Sequence, residues 1–226
     1  MTPNDWQMIR KSALFNRLHD DVVRELLANN AIVDYDRGAV ICNQGDPAKH
    51  YHVVVQGLVK LCRHSGQNQS AIISIHGPAQ AFMEAEALSS GIYSATAEAV
   101  SSARLVKIDA SDLRQRIGRD PELALSMLGS TSIHLRVLLE HVEKLKILTG
   151  PARLADFIVS LAGPQSGAAE VVLPYEKQLI AGQLGMTPES FSRALSQLRQ
   201  HGVRVNRDRL EVKNIEHLRD FIARSM

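Results

Sequence analysis

Apolar positions divide the first half of the chain into a helical beginning and a long β-rich stretch. Over residues 4–30 they recur at helical spacing with a break near Asn16, which predicts one or two short helices. From Ile32 to about Ile108, short β-rich runs alternate with turn signals. The runs are Ala39–Ile41, Tyr51–Val55, Leu58–Leu61, Ala71–Ile75, Ala95–Val100 and Arg104–Ile108. Strand-like runs spaced about 8–12 residues apart are typical of an antiparallel β-barrel or jelly roll.

Glycine-containing turns separate these runs. Glycine adopts a positive φ at low steric cost, which tight corners between strands require. The turns are Asp36-Arg37-Gly38, Gly45-Asp46-Pro47, Gln56-Gly57, Ser65-Gly66 and Gly77-Pro78. We therefore expect glycines at the corners of the barrel.

A long helix is predicted to follow the barrel. Asp120 is suited to the N-cap and Pro121 to the first helical turn. One stripe of residues, spaced alternately by three and four, continues to about Leu148. The stripe consists of Leu128, Thr131, Leu135, Leu138, Val142 and Leu145. A helix of about 28 residues is ~42 Å long and exceeds a small barrel, so it either lies across its own barrel or pairs with a symmetry mate. The narrow seam favours a homodimer over packing within one subunit.

The remainder of the chain predicts a compact helical domain. Thr149-Gly150-Pro151 ends the long helix and is interpreted as a hinge. The predicted elements that follow are a helix (Arg153–Leu161), a loop (Gly163–Ala169), a strand (Val171–Leu173), two helices, a hairpin (Val203–Val212) and a closing helix from about Ile215.

Residues 176–198 have the spacing of a helix-turn-helix motif. Ala181 provides the small side chain that two crossing helices need, and Gly185 the positive φ of a tight turn. Thr187 is placed to cap the second helix and Pro188 to start it. The alternative is a generic corner between two helices, which would not require all of these positions together.

The second helix of this motif carries residue types that read bases. Glu189, Ser192 and Arg193 fall at i, i+3 and i+4, so they share one face at the N-terminal end. Arginine binds guanine with two donors, and glutamate accepts from the amino group of cytosine. Alternatively, Glu189 and Arg193 form a surface pair worth only ~0.3–0.5 kcal/mol. Further candidate DNA contacts, chiefly to phosphates, are Thr187, Ser190, Lys177, Gln178 and Arg199, with Arg204, Arg207 and Arg209 on a β-wing.

Composition and charge agree with a globular protein. The chain has 226 residues, is 45% hydrophobic and 22% charged, and carries a formal net charge of +2, which excludes a disordered or collagen-like class. Residues 1–149 hold 16 Lys and Arg against 16 Asp and Glu, whereas residues 150–226 hold 10 against 8. No apolar run reaches the ~18 residues of a membrane span, and the first residues lack signal-peptide features. We expect a cytoplasmic protein that binds double-stranded DNA and no membrane.

The order of these features resembles the Crp-Fnr family of transcription regulators over nearly the whole chain. The barrel motif Gly38…Gly45-Asp46-Pro47…Gly57-Leu58-Val59-Lys60 and the helix Pro188–Arg193 carry the resemblance. Glu189, followed by Ser192-Arg193, is similar to the Fnr-type recognition helix, which implies TTGAT-like half-sites in an inverted repeat. Residues 81–85 and 93–97 look most like the DNR branch, the nitric-oxide-responsive regulators of denitrification. The resemblance implies haem-based gas sensing and activation through contact with RNA polymerase.

Departures from the family pattern narrow the choice of effector. The cyclic-nucleotide pocket of the family usually has a Gly-Glu pair and, some ten residues later, an Arg-Ser pair; here Glu84-Ala85 and Tyr93-Ser94 stand there. Without the arginine a cyclic phosphate has no partner, so cAMP is not expected. The four-cysteine iron–sulfur cluster of Fnr is excluded too, because the chain has two cysteines, the first at Cys42. Haem, another small molecule or no effector remains.

Candidate effector-binding residues are His134, His141, Glu84, Tyr93 and Ser94. The two histidines lie one heptad apart on the predicted long helix. For any single histidine an ordinary solvent or core position is the simpler interpretation, and Cys42 and Cys62 are most simply small buried side chains. No metal site is predicted.

An enzymatic alternative rests on His50-Tyr51-His52, which approaches the metal motif of cupins. The carboxylate expected four residues later is replaced by Gln56, so a two-histidine, one-carboxylate site is not assembled. No catalytic residues are predicted. The expected architecture is therefore α+β: a sensor β-barrel with N-terminal helices (1–119), a dimerisation helix (120–149) and a winged helix-turn-helix domain (150–226).

Overall fold

The computed structural model describes residues 1–65 and 69–225. The chain forms two compact units, residues 1–136 and residues 137–226, each with its own hydrophobic core. The helices are α1 (Pro3–Lys11), α2 (Asp20–Ala28), α3 (Ala110–Ile117), α4 (Pro121–Ile147), α5 (Gly150–Ala162), α6 (Lys177–Gln183), α7 (Pro188–Leu198) and α8 (Ile215–Ala223). The strands are β1 (Ala31–Tyr35), β2 (Val40–Cys42), β3 (His50–Gln56), β4 (Val59–Ser65), β5 (Gln69–His76), β6 (Ala81–Phe82), β7 (Thr96–Ala99), β8 (Ala103–Asp109), β9 (Ala169–Val172), β10 (Val203–Asn206) and β11 (Arg209–Val212).

Two four-stranded antiparallel sheets form the jelly roll of the first unit. Their strand orders are β1-β8-β3-β6 and β2-β7-β4-β5. The central strand β3 pairs with β8 from His50 opposite Asp109 to Gln56 opposite Arg104, with a bulge near its end. A single π-helical turn at Glu86–Ser90 follows β6.

Strand β3 is buried on both faces, which explains its nearly continuous apolar sequence. Tyr51, Val53 and Val55 face a core that they share with α1, α2, α3 and the first turns of α4. Val54 faces the opposite way, into a second core between the sheets that is rich in alanine. The first unit is therefore layered as helices, sheet and sheet.

Local capping sets where the helices of this unit begin. Thr2 and Asp5 form a capping box at the start of α1. The Asp120 carboxylate accepts from the amides of Glu122 and Leu123 at the start of α4. These bonds satisfy amides that the first helical turn leaves without an intrahelical partner.

The second unit contains the last part of α4, helices α5–α8 and an antiparallel sheet of order β10-β11-β9. Its core gathers apolar side chains from α5, α7, α8 and the three strands. The hairpin β10–β11 closes with Asn206 opposite Arg209 and forms the wing. None of the helices in the described part of the chain is long and apolar enough to cross a bilayer.

The predicted α+β architecture is confirmed. Each predicted strand run in the barrel corresponds to an observed strand, and α4 starts at the predicted proline. Strands β1 and β6 and helix α3 were not among the predicted elements, because they are short or lack a clear period. Gly38, Gly45 and Gly57 have positive φ at corners, as expected. The predicted turn at Ser65-Gly66 falls partly outside the described residues.

Candidate nucleic-acid interface and effector site

The turn between α6 and α7 is built by the residues that the sequence singled out. Gly185 adopts a φ of +64°, and Ala181 is buried where the two helices cross. The Thr187 hydroxyl accepts from the Ser190 amide at 3.2 Å and so caps α7, which starts at Pro188. Helix-turn-helix geometry thus follows from one glycine, one small residue and one cap.

The two faces of α7 differ sharply in burial. Phe191, Ala194 and Leu198 are buried in the core of the second unit. Glu189, Ser192 and Arg193 are exposed together on the opposite face near the N-terminus. This arrangement leaves the proposed base-reading side chains free to meet a ligand.

Hydrogen bonds orient the polar groups of this face. The Arg193 guanidinium donates to the Ser190 hydroxyl at 3.4 Å, and the Ser192 hydroxyl donates to the Pro188 carbonyl at 3.0 Å. The pKa of Glu189 is lowered, first by its own main-chain N–H and then by Thr187 and Arg193. Glu189 is therefore an anionic acceptor, while Arg193 is a cationic donor on the same face.

Polar and cationic side chains surround this helix. Gln178, Arg199, Arg204 and Arg207 are exposed and Lys177 is half-buried. On the wing, Arg209 pairs with Glu170 at 2.5 Å. That pair leaves Arg209 less free to contact phosphates than the sequence implied.

The predicted seam of α4 is mostly exposed in the single chain. Leu128 is 65% and Leu135 57% exposed, and Thr131, Leu138 and Val142 are exposed too. The sequence stripe missed neighbouring exposed apolar residues, which widen the face; these are Leu125, Ile133, Val137, Leu139 and Ile147. An apolar face of this extent is typical of an interface.

Leu145, at the end of the seam, contacts the turn before α7 within the same chain. Leu145 is 38% exposed, and its Cδ2 atom lies 2.9 Å from where a Cβ on Gly185 would be. The side chain therefore packs against the turn before α7. A Cβ at position 185 would require this flexible side chain to shift, and the positive φ of Gly185 independently favours glycine there.

A buried carboxylate in the first unit connects the barrel with α4. Glu84 follows β6, and its Oε1 accepts from the Tyr51 hydroxyl at 3.2 Å and the Ser130 hydroxyl at 2.8 Å. Its Oε2 bonds with Nδ1 of His134. The structure thus brings two predicted residues, Glu84 and His134, into direct contact. Tyr51 and Ser130 were not predicted, although Ser130 precedes His134 by one helical turn.

Neighbouring titratable groups respond to this carboxylate. The hydrogen bond that His134 makes to the Glu84 carboxylate raises the pKa of His134. Burial, and then Glu84, raises the pKa of Tyr51 far above its usual value. Burial first, and then the nearby His134, lower the pKa of His76 to about 4. His134 is thus the one of these groups that favours its charged form.

The other candidate effector residues make separate contacts. The Tyr93 hydroxyl accepts from the His50 amide at 3.0 Å and donates to the His50 carbonyl at 3.1 Å. The Ser94 hydroxyl donates to Glu86. His141 belongs to the second unit, where burial lowers its pKa. Tyr93, Ser94 and His141 therefore do not join the contact between Glu84 and His134.

The barrel also holds an unusual histidine, His52, which was considered from the sequence only as part of a rejected metal motif. His52 is 1% exposed and stacks on Phe82 at 4.9 Å, and neither of its ring nitrogens has a hydrogen-bond partner. Burial lowers its pKa to about 3, so the ring is neutral at physiological pH.

Within residues 1–65 and 69–225, no three His, Cys, Asp or Glu side chains are grouped so as to hold a metal ion. Cys42 and Cys62 are both buried.

Comparisons with known proteins cover both units. The profile of the cyclic nucleotide-binding domain matches residues 32–120, and that of the Crp-like helix-turn-helix domain matches residues 152–221. The chain is 32% identical over 209 residues to the nitrogen fixation regulation protein FixK of Azorhizobium caulinodans. This alignment covers 89% of the present chain and 82% of FixK.

Solved structures extend the likeness to nearly the full length. A protein of Ruegeria pomeroyi, to which cyclic nucleotide binding is ascribed, is 39% identical with a TM-score of 0.69, and the match covers 97% of each chain. DNR from Pseudomonas aeruginosa is 28% identical with a TM-score of 0.56, covering 98% of this chain and 99% of that one. The jelly roll, the helix-turn-helix and these relatives together place the chain in the Crp-Fnr family of DNA-binding transcription regulators.

Proposed function

We propose that the chain acts as a homodimeric regulator that recognises a TTGAT-like inverted repeat. The observation that carries the proposal is the exposed face of α7, where Glu189, Ser192 and Arg193 project while the opposite face is buried. Since the relatives are transcription regulators, no enzymatic activity is proposed.

In this proposal the N-terminal end of α7 enters the major groove. Arg193 donates twice to one guanine, and Glu189 accepts from the amino group of a cytosine. Lys177, Gln178 and Arg199 contact phosphates and set the register without reading sequence. The wing arginines add affinity that depends on salt concentration.

Dimerisation through α4 gives the inverted repeat its physical basis. The exposed seam from Leu128 to Val142 is apolar enough to pair with a second copy of itself. Two-fold symmetry then places two α7 helices in successive major grooves, so half-sites lie about one DNA turn, ~34 Å, apart.

Selection of bound sequences from randomised half-sites tests the assignment. Arg193→Ala is expected to cost about 1–3 kcal/mol on the preferred site and to relax selection at one guanine. Arg199→Ala is the matched control: it is expected to weaken binding to all sequences alike and to reduce the salt slope by about 1. Unchanged base selection by Arg193→Ala would exclude this residue as a base reader.

We propose that an effector acts on the barrel through the Glu84–His134 contact. This pair joins the segment after β6 to α4, so any ligand that competes for the Glu84 carboxylate changes how α4 is held. cAMP is not the proposed effector, because Tyr93 stands where the family's arginine is expected and its hydroxyl is bonded to His50. Contact with RNA polymerase is proposed from the family alone.

We also propose haem-based sensing of nitric oxide, as the resemblance to the DNR branch implies. This proposal requires a histidine that is free to bind iron and space for the haem. The raised pKa of His134 favours a protonated ring, which opposes iron ligation. His52 has two free nitrogens but is packed against Phe82, so a macrocycle fits there only if the barrel opens. A ligand-sensitive Soret band after haem addition, with and without nitric oxide, would support the proposal; weak and unselective haem binding would reject it.

A further inference from the structure

Arg153 connects the ends of two helices in the second unit. Its Nη1 donates to the Leu148 carbonyl at 2.7 Å, just after α4 ends. Its Nε donates to the Leu184 carbonyl at 2.9 Å, just after α6 ends. The last carbonyls of a helix have no intrahelical donor, so one guanidinium satisfies two helix ends at once. The planar fork of arginine can do this in one fixed geometry, whereas lysine offers a point charge.

Two further contacts bind the same segments. Lys144 near the end of α4 pairs with Asp156 of α5 at 2.8 Å. Leu145 packs against Gly185, the residue after Leu184. Leu148 itself is buried in the core of the second unit. One hydrogen bond of Arg153 and one ion pair therefore span the short break between α4 and α5. The second hydrogen bond of Arg153 and the packing of Leu145 reach the turn before α7.

Arg153 also borders the recognition helix. Together with Arg193, Thr187 and Gly185 it lines a cleft of about 370 Å³ beside the start of α7. Arg153 therefore lies beside the end of α7 that carries the proposed base-reading side chains.

We infer that Arg153 locks the last turns of α4 (Val137–Ile147) to the turn before α7, so that these segments move as one body. Thr149–Pro151 then does not act as a free hinge, and Arg153 is a positioning residue for DNA readout. The inference rests on the DNA-binding function, because it concerns how α7 is aimed.

Arg219 provides a matched control. Its Nη2 donates to the carbonyls of Gly163 and Gln165, each at 3.2 Å, in the same unit. Gly163 caps the end of α5, so Arg219 also serves a helix end, but it does not connect α4 with the recognition helix. Arg153→Gln and Arg219→Gln therefore remove similar bonds at different places.

Hydrogen exchange of the full-length protein without DNA tests the lock directly. Arg153→Gln is expected to accelerate exchange about tenfold in two segments together, residues 144–150 and 182–187. Arg219→Gln is expected to affect only residues 163–167. Acceleration in just one of the two segments, or in neither, would overturn the inference, because a local cap would act on one end only. If Arg153→Gln is recovered unfolded, exchange is measured in Arg153→Lys instead. Acceleration in both segments together would again support the inference, and acceleration in one or neither would overturn it.

DNA with graded spacing tests the consequence for readout. Duplexes carry TTGAT and ATCAA half-sites with spacers of about 3–7 base pairs, which bracket one DNA turn. Wild type and Arg219→Gln are expected to prefer one spacer about tenfold over its neighbours, and Arg153→Gln only about threefold. An unchanged spacer preference in Arg153→Gln would overturn the positioning role. If wild type binds none of the duplexes, the operator assignment fails, while the exchange experiment still decides the lock.

Discussion

Replacing His134 by alanine is expected to destabilise the first unit by an amount that depends on pH. His134 is the donor to Oε2 of the buried Glu84, whose other oxygen is served by Tyr51 and Ser130. A hydrogen bond to a charged group contributes about 1.5–3 kcal/mol, and the 30% exposure of the His134 side chain favours the lower part of that range. We expect His134→Ala to lower the free energy of unfolding by about 2 kcal/mol at a pH where the pair is charged, and by about 1 kcal/mol where the histidine is neutral.

The direction of the pH dependence follows from the raised pKa of His134. A base with a raised folded-state pKa contributes its full stability below its unfolded pKa, about 6.5, and loses it as pH rises through the folded value. The destabilisation in His134→Ala is therefore expected to be larger at about pH 5.5 than at about pH 8.5.

Urea unfolding followed by the fluorescence of Trp6 measures this difference. Trp6 is the single tryptophan of the chain and packs against the core of the first unit. A loss of about 2 kcal/mol lowers the urea midpoint by about 1 M, and the shift at high pH is expected to be about half of that. Protein concentration is held constant, because dimerisation also affects the midpoint.

His19→Ala is the matched control for this experiment. His19 also contacts a carboxylate, that of Asp21 at 3.3 Å, but both side chains are highly exposed. An exposed pair of this kind contributes about 0–1 kcal/mol, so little change is expected at either pH. An equal midpoint shift in His134→Ala at both pH values, or a shift that grows with pH, would refute the reasoning.

Three further predictions concern the fold, the dimer and the wing. Gly57→Ala, whose Cβ would lie 2.2 Å from the Ser102 carbonyl oxygen, is expected to cost more than about 3 kcal/mol in urea unfolding. Gly38→Ala, which has a similar φ but open space, is expected to cost only about 1 kcal/mol; equal costs would contradict the steric argument. Leu135→Glu is expected to shift sedimentation towards the monomer, and an unchanged dimer would remove Leu135 from the interface. Arg207→Ala is expected to reduce the salt slope of DNA binding by about 0.9 with base selection unchanged, and an unaltered slope would show that the wing does not contact phosphate.

The sequence alone was sufficient for elements whose signal is local. The helix-turn-helix motif was predictable because Gly185, Thr187 and Pro188 each meet a backbone requirement of their own position. Strand β3 was predictable because burial on both faces demands an apolar run. The start of α4 was predictable because an Asp-Pro pair caps and begins a helix.

Contacts between distant segments needed the tertiary structure. Glu84 and His134 were both candidate effector residues, but nothing in their spacing of 50 residues indicates that they touch. Tyr93 and Ser94 were grouped with them by family position, whereas the fold directs both hydroxyls to other partners. The two carbonyls held by Arg153 belong to the backbone, which carries no sequence signal.

The sequence by itself determined most of the helices and strands, though not β1, β6 or α3, and which face of α7 is polar. Backbone conformation and amphipathic period are properties of neighbouring residues. Only the tertiary structure decided that the Glu84 carboxylate is bound by three protein donors and that the predicted hinge at Thr149–Pro151 is spanned by Arg153. Those features depend on the packing of segments far apart in the chain, and packing is decided by the whole fold rather than by any one stretch of residues.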